Sequence, residues 1–175
     1  MKKILSAFLA AILLLTAVLA LSSCGKRPET DLFLVEEALE EKEYTVSLET
    51  EAENLDVNED KTLYARKTVE EGDSYKSYLF RAVTYKDTTS AILAYLELKL
   101  QLKSEIHMMK LEIKSTEKIL DNYASDLDAE EIEELREDLE DMEEELEEMK
   151  DICLGLSGKT VWYASDETVV EATKR

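Results

Sequence analysis

The longest regular pattern in this chain is a set of apolar positions at helical spacing through its middle part. From Ile92 to Tyr123, and again from Ile132 to Cys153, these positions advance in alternating steps of three and four residues. That spacing is typical of helices that pack along one side. Residues 125–128 separate the two series as a turn, and Asp128 with Glu131 has capping-box spacing at the start of the second helix.

The two series match each other as the facing sides of an antiparallel helical hairpin. Leu120 falls opposite Ile132, Leu102 falls opposite Met149, and the pairs between them keep one register. The positions of this seam are Leu102, Ile106, Met109, Ile113, Thr116, Leu120, Ile132, Leu135, Leu139, Met142, Leu146 and Met149. The pattern predicts a long acidic coiled-coil hairpin over residues 101–153, with Cys153 as a buried thiol at the end of its second helix.

Shorter patterns on both sides of this segment predict a compact α+β body. Leu32, Val35 and Leu39 have helical spacing, with Thr30 or Asp31 as the N-cap. Alternating or β-branched and aromatic runs predict strands at residues 44–49, 63–68, 77–85 and 160–164. A short last helix follows, capped by Ser165 or Asp166, with Val169, Val170 and Ala172 as its apolar positions.

The predicted fold is therefore a small four-stranded sheet with flanking helices, and the hairpin is inserted before the last strand. The body comprises residues 32–100 and 154–175, large enough for a modest independent core. Extra leucines at the base of the first hairpin helix are expected to pack on the sheet. These are Leu93, Leu96, Leu98 and Leu100.

The N-terminus has the features of an export signal. Lys2 and Lys3 precede an apolar run from Ile4 to Leu21. The run ends in Leu21-Ser22-Ser23-Cys24, which resembles the lipobox of bacterial lipoprotein precursors at all four positions. The resemblance implies a diacylglyceryl group on the Cys24 sulfur, cleavage before Cys24 and, usually, acylation of the new Cys24 amine.

This resemblance makes residues 1–23 a lipoprotein signal peptide and residues 24–31 a lipidated tether. The expected location is the extracytoplasmic face of a bacterial cell membrane. An uncleaved transmembrane anchor is the alternative, because the 18 residues from Ile4 to Leu21 are just enough to cross a bilayer. Both interpretations place the residues beyond 24 outside the cytoplasm.

The charge balance excludes one class of function. The chain has 41 Asp and Glu against 21 Lys and Arg, a formal net charge of −20. Nucleic-acid binding by phosphate neutralisation needs clustered basic residues, so it is excluded. Loss of residues 1–23 removes Lys2 and Lys3 and takes the charge to −22. Anionic lipid headgroups would repel such a protein, so the lipid at Cys24 must hold it to the membrane.

The sequence contains no recognisable enzymatic motif. His107 is the only histidine, and none of the four glycines lies in a phosphate-binding pattern. We therefore predict no catalytic residue, no cofactor and no metal site. Residues 128–151 hold 15 carboxylates against Arg136 and Lys150, so a cation sensor or buffer is an alternative function. An enzyme with an unrecognised pocket is the third possibility.

The first hairpin helix carries a second apolar stripe opposite its seam. Angles around the helix axis, at about 100° per residue, are measured here from Leu100. Met108, Leu111 and Ile119 lie at about 20–100°, whereas the seam residues lie at about 160–240°. Ser104 and Ser115 lie between these large side chains and allow close approach. The stripe predicts a partner surface, used for self-association or for another envelope protein. The leading functional hypothesis is a non-enzymatic interaction module.

Overall fold

In a computed structural model, helices and an antiparallel sheet account for most of the described residues, which are 28–174 apart from 52, 73 and 124–126. In chain order the elements are α1 (Leu32–Glu40), β1 (Thr45–Glu49), β2 (Glu59–Glu71), β3 (Ser74–Tyr85), α2 (Thr88–Tyr123), α3 (Ala129–Asp151), β4 (Cys153–Ser157), β5 (Thr160–Ala164) and α4 (Glu167–Ala172). The signal peptide and Cys24 lie outside the described residues.

The sheet has five strands in the order β1-β2-β3-β5-β4, and every neighbouring pair is antiparallel. The α+β class is confirmed. The prediction of four strands was wrong, because residues 153–157 form an additional edge strand. The two long helices therefore precede the last two strands rather than the last one. Cys153 was assigned to the end of a helix but begins β4.

The strands β2 and β3 are longer than predicted and form a long hairpin. Their register runs from Glu59 opposite Tyr85 to Glu71 opposite Ser74. Gly72 occupies the turn with φ +67°, a left-handed conformation that costs glycine least. β1 pairs with residues 62–66 and β5 with residues 80–84. The tip of the hairpin therefore extends past its neighbouring strands as a two-stranded ribbon.

The main core lies between one face of the sheet and the helices α1 and α4. Each helix begins at an aspartate cap: Asp31 accepts a hydrogen bond from Phe33 N at 3.0 Å, and Asp166 accepts one from Val169 N at 3.0 Å. The buried residues of this core include Leu32, Val35, Leu39, Leu63, Phe80, Cys153, Trp162, Val169 and Val170. Their spacing of three or four on the helices and two on the strands is what brings them to one side.

The strands β4 and β5 are buried on both faces. Cys153 and Trp162 belong to the core just described, whereas Leu154, Leu156 and Val161 alternate with them and are also buried. A strand buried on both sides reads as a continuous apolar run without polar alternation. Residues 153–157 therefore show no alternation of apolar and polar positions from which a strand could be predicted.

The described chain divides into two compact units. One contains the residues up to Tyr95 together with those from Cys153 onward, and includes the sheet. The other, Leu96–Ile152, holds most of α2 and all of α3. This second unit is named the helical insertion below.

Candidate functional site

The long helix α2 is fixed at its start by Asp87. The Asp87 carboxylate accepts hydrogen bonds from Ser90 N at 2.9 Å and from Ser90 Oγ at 2.7 Å. These bonds satisfy donors of the first helical turn, which have no partner within the helix. They also lower the pKa of Asp87 below its ordinary value, the backbone bond from Ser90 contributing most and the Ser90 hydroxyl next.

Within the helical insertion, low exposure follows the predicted seam. All twelve seam residues are buried or half-buried, and Ile113 and Leu146 are the most buried, at 9% and 8% exposure. Ile113 lines one groove together with Leu146, so these side chains from α2 and α3 lie near each other. The capping box predicted at α3 is confirmed, because Asp128 accepts from Glu131 N while the Glu131 carboxylate accepts from Asp128 N.

The predicted stripe lies on the outer side of α2. Met108, Leu111 and Ile119 are 52%, 48% and 38% exposed, and Ser104 and Ser115 between them are exposed as well. Single exposed apolar residues are ordinary on protein surfaces. These three recur at helical spacing on a single face, which they share with Ser104, Ser115, His107 and Lys118.

The strip is longer than the sequence indicated, because two of the leucines assigned to the sheet belong to it. Leu96 is 38% exposed and Leu100 is 69% exposed. Leu93 is exposed too, so burial was wrongly expected for three of the four leucines at the base of α2, whereas Leu98 is half-buried. Ala91 and Tyr95 are instead the buried residues in the first turns of α2. The name outer stripe is used below for Leu96, Leu100, Ser104, Met108, Leu111, Ser115 and Ile119.

Charged side chains of opposite sign flank the outer stripe. The angles here are measured around the axis of α2 from the centre of the outer stripe. On one side, Lys103, Lys110 and Lys114 lie at about 70–110°. On the other side, Glu105 and Glu112 lie at about 90–110°. Glu117 and Asp121 join the basic flank only towards the end of the helix. Residues 96–123 hold five lysines and five carboxylates, a net charge of zero. One border of the outer stripe is therefore basic only as far as Lys114, the other holds Glu105 and Glu112, and Lys118 lies on the stripe itself.

Four of the lysines of α2 form no close ion pair within the described residues. In the part of the chain that the structure describes, Lys103, Lys110, Lys114 and Lys118 have no carboxylate oxygen within 4 Å. Close ion pairs elsewhere in the described chain join Lys67 to Glu43, Lys150 to Glu147 and Lys174 to Glu171. Four lysines on α2 are therefore available to a partner.

The acidic residues of α3 spread along the helix instead of surrounding one point. A groove of about 590 Å³ is lined by Glu140, Glu143, Glu144 and Glu147 together with Ile113 and Leu146. Among the described residues, no three His, Cys, Asp or Glu side chains are placed to hold one metal ion. A chelating site for calcium needs oxygen ligands that converge, six to eight in number.

A second groove, of about 630 Å³, lies beside the edge strand β1. It is lined by Glu43, Thr45, Val46, Ser47, Tyr64, Arg66, Lys67 and Thr68. Arg66 donates a hydrogen bond to Ser77 Oγ at 3.3 Å, and Lys67 donates to the carbonyl oxygen of Lys42 at 2.8 Å. This groove was not predicted from the sequence, although the alternation of Leu63 and Ala65 with Tyr64 and Arg66 indicates a polar outer face of β2.

The remaining reactive side chains are placed by the fold as follows. Cys153 is fully buried in the core of the sheet unit, so its thiol is out of reach of water. His107 is exposed on α2. Trp162 is buried, and its Nε1 has no hydrogen-bond partner among the described residues. Cys24, the predicted lipidation site, lies outside the described residues.

No helix within residues 28–174, as far as they are described, has the length and hydropathy needed to cross a bilayer. Comparisons of the chain with protein-family models, with curated proteins and with solved structures find no match. The outer stripe and the lipobox are therefore the features of this chain that point to a function.

Proposed function

We propose that this protein is a lipid-anchored extracytoplasmic protein that acts as a non-enzymatic interaction module through its helical insertion. The observation that carries the proposal is the outer stripe, a line of large apolar side chains left in water on one side of α2. Aligned exposed apolar residues favour a contact surface, because covering them with a partner removes apolar area from water.

The same proposal includes an antiparallel coiled coil between α2 and α3. Reduced exposure at all twelve seam positions supports it. In such a coiled coil the seam uses one side of α2. The outer stripe on the opposite side then has no partner within the hairpin.

The proposed lipid anchor explains how such an acidic protein stays at a membrane. A net charge of −22 after signal cleavage would repel anionic headgroups. Two or three acyl chains at Cys24 would hold it much more firmly than the single chain that binds only marginally. Support for this part of the proposal comes from the residues Leu21-Ser22-Ser23-Cys24 and from the charged and apolar regions before them.

The experiment replaces Met108, Leu111 and Ile119 together by Gln in the full chain, expressed in its membrane. A matched control replaces Glu130, Glu137 and Glu148 by Gln; these exposed residues point away from the seam on α3. After chemical cross-linking in native envelope, the wild type and the control should give the same higher-mass species, and the stripe variant should lose it. Circular dichroism checks that all three proteins are equally helical.

Identical cross-linking patterns for the wild type and the stripe variant would contradict the proposal. The second candidate function, a cation sensor or buffer, is favoured by the 15 carboxylates of residues 128–151. It predicts a saturable calcium isotherm that sodium does not reproduce.

A further inference from the structure

We propose that the open edge of β1 binds an extended, positively charged peptide segment, which joins the sheet as an additional strand. The site belongs to the sheet unit and shares no residue with the outer stripe, so it needs neither the helical insertion nor the lipid anchor. Its basis is a set of backbone groups that the fold leaves unpaired where the sheet ends at β1.

The hydrogen bonds of β3 show to which side each of its residues presents its backbone. In an antiparallel sheet, the N–H and C=O groups of successive residues point alternately to the two neighbouring strands. Ser165 N donates to Leu79 O at 2.9 Å, and Tyr85 N donates to Lys159 O at 2.9 Å. The odd-numbered residues of β3 therefore point to the β5 side, and the even-numbered residues point to β2.

The register carries this alternation across the sheet to β1. Even-numbered residues of β3 stand opposite the odd-numbered residues of β2 from 61 to 71, so the even-numbered residues of β2 point to β1. Among them, Tyr64 stands opposite Ser47. The odd-numbered residues of β1 thus use their backbone groups on β2, and the N–H and C=O groups of Val46 and Leu48 point outward.

The outward side of Val46 and Leu48 is open. Within the part of the chain that the structure describes, no hydrogen bond to a turn, a loop or a side chain engages the backbone of either residue. Both side chains are half-buried beside the core, so a strand next to β1 would cover them further. The groove of about 630 Å³ lies at this edge, with Thr45, Val46 and Ser47 in its lining. Unpaired strand edges of this kind accept extended peptides.

The charge around the edge selects the occupant. Residues 36–53 include most of α1, the turn after it and all of β1. They contain eight glutamates and one lysine, a net charge of −7. A bound peptide with lysine or arginine side chains would meet carboxylates on both sides of its backbone, which favours its association.

Three basic side chains near the edge are already engaged. Lys42 Nζ donates to two carbonyl oxygens at and just after the end of α4, at 2.8 Å each. Lys67 pairs with Glu43 at 3.4 Å. Arg66 donates to Ser77 Oγ on β3, on the side away from β1. These contacts leave the glutamates as the groups that a peptide would meet.

A second copy of β1 fits this edge less well than a basic peptide. The antiparallel pair that bonds Val46 of one copy to Leu48 of the other has its two-fold axis at Ser47. Continued outward, the same register places Glu43 opposite Glu51. Like charges directly opposite each other destabilise a strand pair, and each copy would add a segment of net charge −7.

Amide hydrogen exchange, followed by NMR on the full chain in detergent micelles, tests how the edge binds. The probe is a capped peptide of seven alternating lysine and valine residues. In the free protein, the Ser47 amide should be protected, whereas those of Val46 and Leu48 should exchange rapidly. Saturating probe should slow exchange at Val46 and Leu48 at least about tenfold. A peptide with proline in place of each valine keeps the charge but cannot pair as a strand, so it should not.

Two sets of variants test the backbone and the charge separately. Val46→Pro removes an outward N–H, a position where an edge strand tolerates proline, and should weaken probe binding at least about tenfold. Its matched control, Ser47→Pro, removes an N–H used on β2 and should lower Tm instead. Glu40→Gln with Glu49→Gln should weaken binding about threefold, and the same charge change at Glu130 and Glu137 on α3 should have less effect.

Four results would overturn the inference. Protection of Val46 and Leu48 in the free chain, as strong as that of Ser47, would show that the edge is already occupied. No binding of the lysine–valine probe would remove the site. Binding that leaves exchange at Val46 and Leu48 unchanged would place the peptide on another surface. Equal binding of the proline peptide would show attraction by charge alone. The proposed function is tested on α2 and would survive each of these results.

Discussion

Gly155 and Trp162 are opposite residues of β4 and β5, and a β-carbon on Gly155 would lie 2.6 Å from Cε2 of Trp162. The indole ring therefore occupies the space that a side chain at position 155 would need. Trp162 is among the largest fully buried side chains of the sheet unit. This one close approach explains why a glycine stands in the middle of a buried strand.

Gly155→Ala should lower the free energy of unfolding by about 1–3 kcal/mol, because the ring or the strand must move. Trp162→Phe shortens the ring system and removes the unpaired Nε1 donor. The loss of unfolding free energy in the double variant should therefore be smaller than the sum of the losses in the two single variants. The difference should be at least about 0.5 kcal/mol. Urea unfolding of the four proteins measures this difference.

Gly158→Ala is the matched control for that cycle. Gly158 has φ +62° and no atom within 4 Å of an added β-carbon. Its substitution should cost only backbone strain, and Trp162→Phe should leave that cost unchanged. Strict additivity for Gly155 and Trp162 would contradict the packing argument.

The cap of α2 should make part of the stability depend on pH. Hydrogen bonds from Ser90 lower the pKa of Asp87 in the folded chain. A carboxyl whose pKa is lower in the folded than in the unfolded chain stabilises the fold at pH values above its unfolded pKa of about 3.9. That stabilisation is lost as the pH falls through the folded pKa. The Tm difference between wild type and Asp87→Asn should therefore be full above about pH 5 and shrink below about pH 4. A difference that is constant from pH 7 to pH 3 would contradict the role of the carboxylate charge.

The acidic helix α3 should respond to salt by screening. Pairs such as Glu130 with Glu134 and Glu140 with Glu144 are like charges at i, i+4 spacing, and each costs about 0.2–0.5 kcal/mol. Raising the salt to about 0.1 M shortens the Debye length to about 10 Å, so helicity or Tm should rise modestly. Sodium and calcium at equal ionic strength should act alike. A stoichiometric calcium isotherm in calorimetry that sodium cannot reproduce would favour the cation sensor instead.

Lipidation of Cys24 is the prediction that concerns the anchor. Labelled fatty acid should enter the wild-type chain and should be absent from Cys24→Ala, because the thioether needs the sulfur. The wild-type protein should partition into detergent, and its mass should correspond to a chain that begins at Cys24. A water-soluble protein that retains Met1, or one cleaved at another position, would contradict the lipobox interpretation.

Most of the sheet unit could be predicted from periodicity. The bounds of β5, Thr160–Ala164, were predicted correctly, and Asp31 and Asp166 are among the predicted caps. β4 was missed because Cys153 continues the helical spacing of Met142, Leu146 and Met149. The backbone leaves the helix at Ile152, with φ −57° and ψ 121°. Nothing local in the sequence marks that point, since the glycine that does interrupt the pattern comes three residues later.

The outer stripe was only partly predictable. Helical angles alone identified Met108, Leu111 and Ile119, because those positions lie opposite the seam. Leu100 lies beside Leu111 on the helix surface, and Leu96 lies about 40° from Leu100 on its other side, but their proximity to the sheet suggested burial. The structure shows that Ala91 and Tyr95 are the buried residues there. The side of a helix that becomes buried depends on the direction in which the helix leaves the preceding strand. The spacing of apolar residues does not encode that direction.

The central claim is that the outer stripe is covered when the protein stands in its own membrane, and thiol accessibility tests it most directly. Full-length Ser115→Cys and Glu137→Cys are labelled with a membrane-impermeant maleimide in native envelope whose outer face is open to the reagent, and again after unfolding in detergent and urea. Residue 115 should react much more slowly than residue 137 in the native envelope, and at the same rate once the protein is unfolded. Equal native rates at the two positions would show that the stripe faces water and would contradict the account.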